Sequence, residues 1–171
     1  MKRRFAIVVV LGVCVCGGSA PARAQAPAPV TLKGKAMSLQ ASGTFEVKVA
    51  PLPPDEKVPG VGVGRMSIDK VWSGDIVGTS KGEMMTAAGE VKGSAGYVAV
   101  EMMKVEVKGR KGAFTLMHHA TMKKDADFKM LINVIPDSGT GDLTGISGVL
   151  TIIIEPGKHS YVFDYTLPGP I

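Results

Sequence analysis

From residue 43 onward, apolar and polar side chains repeatedly alternate with a period of two, and no stretch after residue 30 sustains a 3.6-residue period. Such alternation predicts strands that each bury one face. Residues 44–50 set Phe45, Val47 and Val49 against Thr44, Glu46 and Lys48. PLPPDEKVPGVGVG, residues 51–64, then breaks the pattern with four prolines and reads as a long loop. Residues 65–72 and 75–87 predict two strands around Ser73-Gly74. Their apolar positions do not sort onto one face, so the pattern leaves the buried side of that hairpin open.

The next hairpin is clearer. YVAVEMMKVEVK and AFTLMHHATM flank GRKG, which reads as a two-residue Arg110-Lys111 turn bracketed by Gly109 and Gly112. That turn pairs Lys108 with Ala113, Val107 with Phe114, Val105 with Leu116, Met103 with His118 and Glu101 with Ala120. One face then carries Met103, Val105, Val107, Phe114, Leu116, His118, Glu101 and Ala120; the other carries Lys104, Glu106, Lys108, Thr115, Met117 and His119. The first face is the apolar one, so His118 is expected inside and His119 outside. Glu101 becomes a diagonal neighbour of His118, roughly 7 to 8 Å away between α-carbons.

A strand over residues 128–135 follows KKDA, and 148–155 pairs with 159–167 across Pro156-Gly157-Lys158. His159, Tyr161, Phe163, Tyr165 and Leu167 share one face of the last strand. The expected fold is therefore all-β: a single antiparallel barrel of eight strands in simple order, closed on itself so that no edge remains.

The N-terminus changes what the composition means. MKRRFAIVVVLGVCVCGGSAPARAQA has a basic start, an apolar run and small residues, the layout of a secretory signal peptide. The apolar run is about half of the roughly 20 residues a spanning helix needs, so no stable membrane anchor is expected after cleavage. Val13 and Val15 sit poorly before a lipidated cysteine. Cleavage after Ala22-Arg23-Ala24 assigns 1–24 to the signal, 25–42 to an N-terminal tether or frayed strand, and 43–168 to the barrel. The product would be exported, periplasmic or secreted.

Without Lys2, Arg3, Arg4 and Arg23 the 20 basic residues fall to 16 against 15 acidic ones, and a net charge of +5 becomes +1. The case for nucleic acid as a partner goes with it. Cys14 and Cys16 also leave, so the mature chain has no thiol, disulfide or cysteine metal site. Its stability has to come from burial, for which 147 residues suffice.

Several motifs have ordinary readings. Asp137-Ser138-Gly139-Thr140 spells an aspartic-protease loop, but it occurs once, follows Pro136 and suits a turn. Asp142 nearby lacks calcium-loop spacing. Gly60, Gly62 and Gly64 precede no helix that would bind phosphate. His118, His119 and His159 do not make a metal site, because adjacent strand residues point to opposite faces. No cofactor is expected.

GTFEV at 43–47, GRMSIDK at 64–70, SKGEM at 80–84, GSAGYVAVE at 93–101, GRKGAFTLMH at 109–118, VIPDSGTGDLTGISG at 134–148 and GKHSYVFDYTLP at 157–168 occur in this order. These blocks resemble a bacterial family known as domain of unknown function 3224. The resemblance implies a barrel similar to that of allene oxide cyclase, a small cofactor-free fold whose cavity holds an apolar ligand. It does not by itself imply cyclase activity. Val105 and Ala120 stand where the family pattern has glycine, and the proline-rich loop and export signal also depart from it.

The expected function is binding of a small apolar or amphipathic ligand inside the barrel. His118, Glu101, Tyr97, Met103, His159, Tyr161 and Tyr165 are candidate lining, and Trp72 is expected to pack. The alternatives are a cofactor-free isomerase or cyclase moving a proton with His118 or Glu101, and a non-catalytic structural or interaction barrel, filled by its own side chains, that acts through its surface or by forming homo-oligomers.

Overall fold

The strand pattern closes. In a computed structural model that describes residues 37–53, 63–126 and 128–168, eight strands form one barrel. They are β1 (Met37–Leu52), β2 (Val63–Gly74), β3 (Ile76–Ala88), β4 (Ala95–Val107), β5 (Arg110–Met122), β6 (Lys129–Val134), β7 (Ser147–Glu155) and β8 (Lys158–Leu167). Each strand pairs antiparallel with its neighbours in sequence, and β8 returns to β1. The predicted signal peptide, residues 25–36 of the predicted tether and positions 54–62 of the proline-rich loop lie outside the described residues.

Residues 37–42 are strand rather than tether: Met37 to Ser42 pair with Leu167 to Val162 of β8. Their pattern is faint because Leu39 and Ala41 are the only apolar positions between Met37 and Gly43, yet without them the sheet would keep two open edges. At Gly43, which is still paired with Tyr161 of β8, the chain also comes into close approach with Gly74 of β2. A β-carbon there would stand 2.1 Å from the Ser73 carbonyl oxygen and 2.7 Å from the Tyr161 hydroxyl.

The register of the β4–β5 hairpin differs from the sequence-based expectation by four residues. The turn is Lys108-Gly109, with φ of 46° and 86°, and Val107 pairs with Arg110, Met103 with Phe114, Glu101 with Leu116, Ala99 with His118 and Tyr97 with Ala120. A tight hairpin turn of this kind needs positive φ at both central residues, which Gly109 supplies and an Arg110-Lys111 turn would not. Because the shift is even, every side chain keeps its face. Glu101 and His118 remain diagonal neighbours, with His118 now on the opposite diagonal. Val105 faces Gly78 across the β3–β4 ladder, where the missing side chain makes room for it.

The hairpin whose faces the pattern left open buries Ile68, Lys70, Trp72, Ile76 and Ser80. Val71 and Val77 point outward at 53% and 56% exposure. A lysine and a serine inside, with valines outside, invert the usual sorting.

One end of the barrel is filled. Trp72, Ile76, Met103, Val107, Phe114, Leu116 and Phe163 are buried there, and Phe163 stacks on both Phe114 and Tyr165. The β6–β7 connection closes that end by inserting Leu143 and Ile146, both essentially inaccessible. This connection also acts as a substitute strand, since β6 and β7 share only the pair Asn133–Val149. Thr140 N–H donates to the Ala113 carbonyl, Thr140 Oγ1 accepts from Ala113 N–H, and Ser138 Oγ accepts from Thr115 N–H. The Asp137-Ser138-Gly139-Thr140 segment is thus a structural loop. Gly112 allows it to approach, because a β-carbon there would lie 2.0 Å from the Thr140 carbonyl oxygen.

Two variants test this construction by urea unfolding. Leu143→Ala should lose about 2–5 kcal/mol, since it removes a fully buried plug residue. The Tyr161 hydroxyl accepts from Ile76 N–H at 2.8 Å and donates to the Ser73 carbonyl at 3.3 Å. Tyr161→Phe should therefore cost about 1–3 kcal/mol by leaving the Ile76 N–H unpaired.

Candidate functional site

The inward parity of four consecutive strands brings a polar row into an otherwise apolar interior. Lys70 on β2 faces Ser80 on β3. Glu101 on β4 is a diagonal neighbour of Ser80 on one side and of His118 on β5 on the other. Gly82, which pairs with Glu101, has no side chain and leaves the carboxylate open to Lys70 from beyond β3.

Glu101 is the centre of this row and is wholly buried. Lys70 Nζ donates to its Oε2 at 2.8 Å. The Ser80 hydroxyl donates to Oε1, and Trp72 Nε1 donates to Ser80 Oγ at 2.7 Å. The Lys70 ammonium also lies 4.9 Å from the ring centre of Phe45 and 5.1 Å from that of Trp72, a cation–π arrangement. His118 Nε2 is 3.0 Å from Glu101 Oε2, but the contact lacks hydrogen-bond alignment and this nitrogen has no other partner among the described residues. Burial, the largest single influence, would raise the Glu101 carboxyl pKa. The neighbouring His118, the charge and hydrogen bond of Lys70 and the Ser80 hydroxyl together outweigh it and hold the carboxyl at about 2. Glu101 is therefore a fixed anion, already engaged at both oxygens.

Above this row, toward the end where β2, β4, β6 and β8 begin, the barrel opens into a cavity of about 250 Å³. Its wall is mostly apolar, with Val47, Ile68, Met84, Met130 and Ile152 among the contributors, and Lys70, Tyr97, His118 and His159 supply the polar part. His159 packs against Phe45 at 5.3 Å between ring centres, which continues through Trp72 to Tyr161 as an aromatic file. Tyr97 donates its hydroxyl to Met130 Sδ at 3.2 Å, a weak acceptor. Burial and then the Glu101 charge push its phenol pKa up, so it stays a donor at ordinary pH. Hollows of about 580 and 600 Å³ on the outside of β2–β5 are larger, but they are surface grooves beside half-exposed Val98, Val100 and Met102. Lys70, Tyr97 and His118 border neither of them, although Lys70 and Tyr97 each edge another outer groove, of about 310 and 390 Å³ respectively.

Of the residues singled out from sequence, Tyr97, His118 and His159 border the cavity. Glu101 stands behind the wall rather than in it. Met103, Tyr161 and Tyr165 belong to the packed core and do not line the cavity, because their share of the barrel is filled by their own aromatic and aliphatic neighbours. The sequence pattern alone does not single out Lys70 and Ser80. The signal lay in SIDKVW, where Lys70 shares parity with Ile68 and Trp72. His119 points out, and among the described residues no three His, Cys, Asp or Glu side chains are grouped to hold a metal ion.

The Glu101 carboxyl is held below its ordinary value of 4.5 in the folded barrel. Its ionisation stabilises the fold fully above about pH 4.5, and that contribution is lost as the pH falls toward 2. Acid titration of urea stability should show a loss of about 3 kcal/mol across that window, and Glu101→Gln should lack this component.

Comparison with known proteins agrees with this architecture. The family model described as "Protein of unknown function (DUF3224)" matches residues 41–165. A solved structure of a protein of unknown function from the DUF3224 family of Shewanella oneidensis MR-1 is 39% identical, with a TM-score of 0.69 over 78% of this chain and 100% of that one. No curated protein matches. A family match that begins in β1 and ends in β8 takes in part or all of every strand of the barrel, and the chain belongs to the DUF3224 family.

Proposed function

We propose that this protein is a binding barrel, exported by its N-terminal segment, that holds a small amphipathic molecule in the open end of the barrel without transforming it. One observation carries this reading: a plugged, fully packed end stands opposite an end with a cavity of about 250 Å³, walled by apolar side chains and bordered by Lys70, Tyr97 and His118. Ligand sites commonly run from about 300 to 1,000 Å³ and combine apolar walls with a few convergent polar groups. The volume here suits a small ligand or one end of a longer molecule.

The same geometry weighs against the isomerase alternative. Glu101 is buried behind the wall, ionised and engaged at both oxygens by Lys70 and Ser80, so it is poorly placed to take a proton from a substrate.

Native mass spectrometry of protein purified from its own host tests the reading. The expected result is a non-covalent small-molecule adduct that disappears in Ile152→Trp, a variant that fills the cavity wall, while circular dichroism of the barrel is unchanged. An adduct that survives wall filling would overturn the assignment, and release of a chemically altered molecule after incubation would replace binding by catalysis.

A further inference from the structure

The polar side chains of the cavity wall have a common character: among the described residues that line it, none is a carboxylate. Lys70 contributes an ammonium with three N–H donors, one of which is used on Glu101 Oε2. Tyr97 contributes a hydroxyl whose only hydrogen-bond partner among the described residues is the Met130 thioether. His118, 3% exposed, contributes a ring whose Nε2 lies 3.0 Å from Glu101 Oε2 and makes no aligned hydrogen bond among the described residues. The negative charge that balances Lys70 sits behind the wall on Glu101, which does not border the cavity. A ligand therefore meets the spare donors of Lys70 and Tyr97 and a positive charge, with the Glu101 carboxylate set behind the wall.

Resting on the binding function above, we propose that the ligand is a small aliphatic monocarboxylate whose head lies against Lys70, Tyr97 and His118 and whose tail runs along Ile68, Met84, Met130 and Ile152. A carboxylate brings acceptors and no donors, and so complements each of these groups. A neutral hydrocarbon would leave the donors as poorly satisfied as they are without it. An amine would place a second cation beside Lys70 in a low-dielectric wall, where like charges repel strongly. The hydrocarbon tail gains from removal of its apolar surface from water.

Calorimetric titration of the full-length mature protein with octanoate, octan-1-ol and octylamine separates these chemistries, since the three share one tail. Octanoate should bind at least about tenfold more tightly than octan-1-ol, the difference expected for a hydrogen bond to a charged group. Octylamine should bind more weakly than either. Tyr97→Phe should weaken octanoate binding by about tenfold and octan-1-ol binding by distinctly less, because the alcohol accepts a weaker, uncharged hydrogen bond. It removes only a partly buried hydroxyl, so the fold should persist, and amide chemical shifts away from the cavity provide the check. Equal binding of octanoate and octan-1-ol, or tighter binding of octylamine, would overturn the carboxylate assignment and leave the cavity reading standing. Failure of all three to perturb Met84, Met130 and His118 resonances would overturn both.

Discussion

The Glu101 carboxylate imposes the strictest demand on this barrel. A charge with no solvent exposure costs several kcal/mol to desolvate unless it is paired and hydrogen-bonded. Glu101 meets that demand from three strands other than its own: Lys70 and Trp72 on β2, the latter through Ser80 on β3, and His118 close by on β5. These partners coincide only when β2, β3, β4 and β5 hold one register. A slip of one residue on any of them would turn a partner outward and leave the charge unpaired. The ion pair is thus better understood as a constraint on strand alignment than as a source of net stability.

The same row divides the interior. On one side Trp72, Met103, Phe114 and Phe163 pack to exclusion of solvent, and Leu143 and Ile146 seal the end. On the other side the inward side chains leave a space of about 250 Å³ unfilled, and the cavity begins. Lys70 belongs to both halves. Its stem and ammonium lie among Phe45 and Trp72, its charge is answered by Glu101, and it still borders the open space. Stability and binding chemistry therefore meet at one side chain.

Much of this was readable from alternation. The strand count, the antiparallel order, the inward His118 and outward His119, and the nearness of His118 to Glu101 all follow from parity. They survived even though the predicted β4–β5 register was displaced by four residues. What the pattern hid was Lys70. In the β2–β3 hairpin, valines face solvent while lysine, serine and glycines face inward, so hydrophobicity pointed to neither side. The cost of burying Lys70 is met by a carboxylate two strands away, which no local window contains.

By itself, the sequence determined the periodicity, and with it the class of fold, the faces of most strands and the absence of cysteine chemistry from the barrel region, because these depend on side-chain type and spacing along one chain. The tertiary structure decided which tyrosines pack and which border the cavity, where the tight turn falls, and that Glu101 is matched by Lys70. Those outcomes depend on how neighbouring strands align and on how much of the enclosed volume their side chains fill, and both are properties of the closed barrel rather than of any single strand.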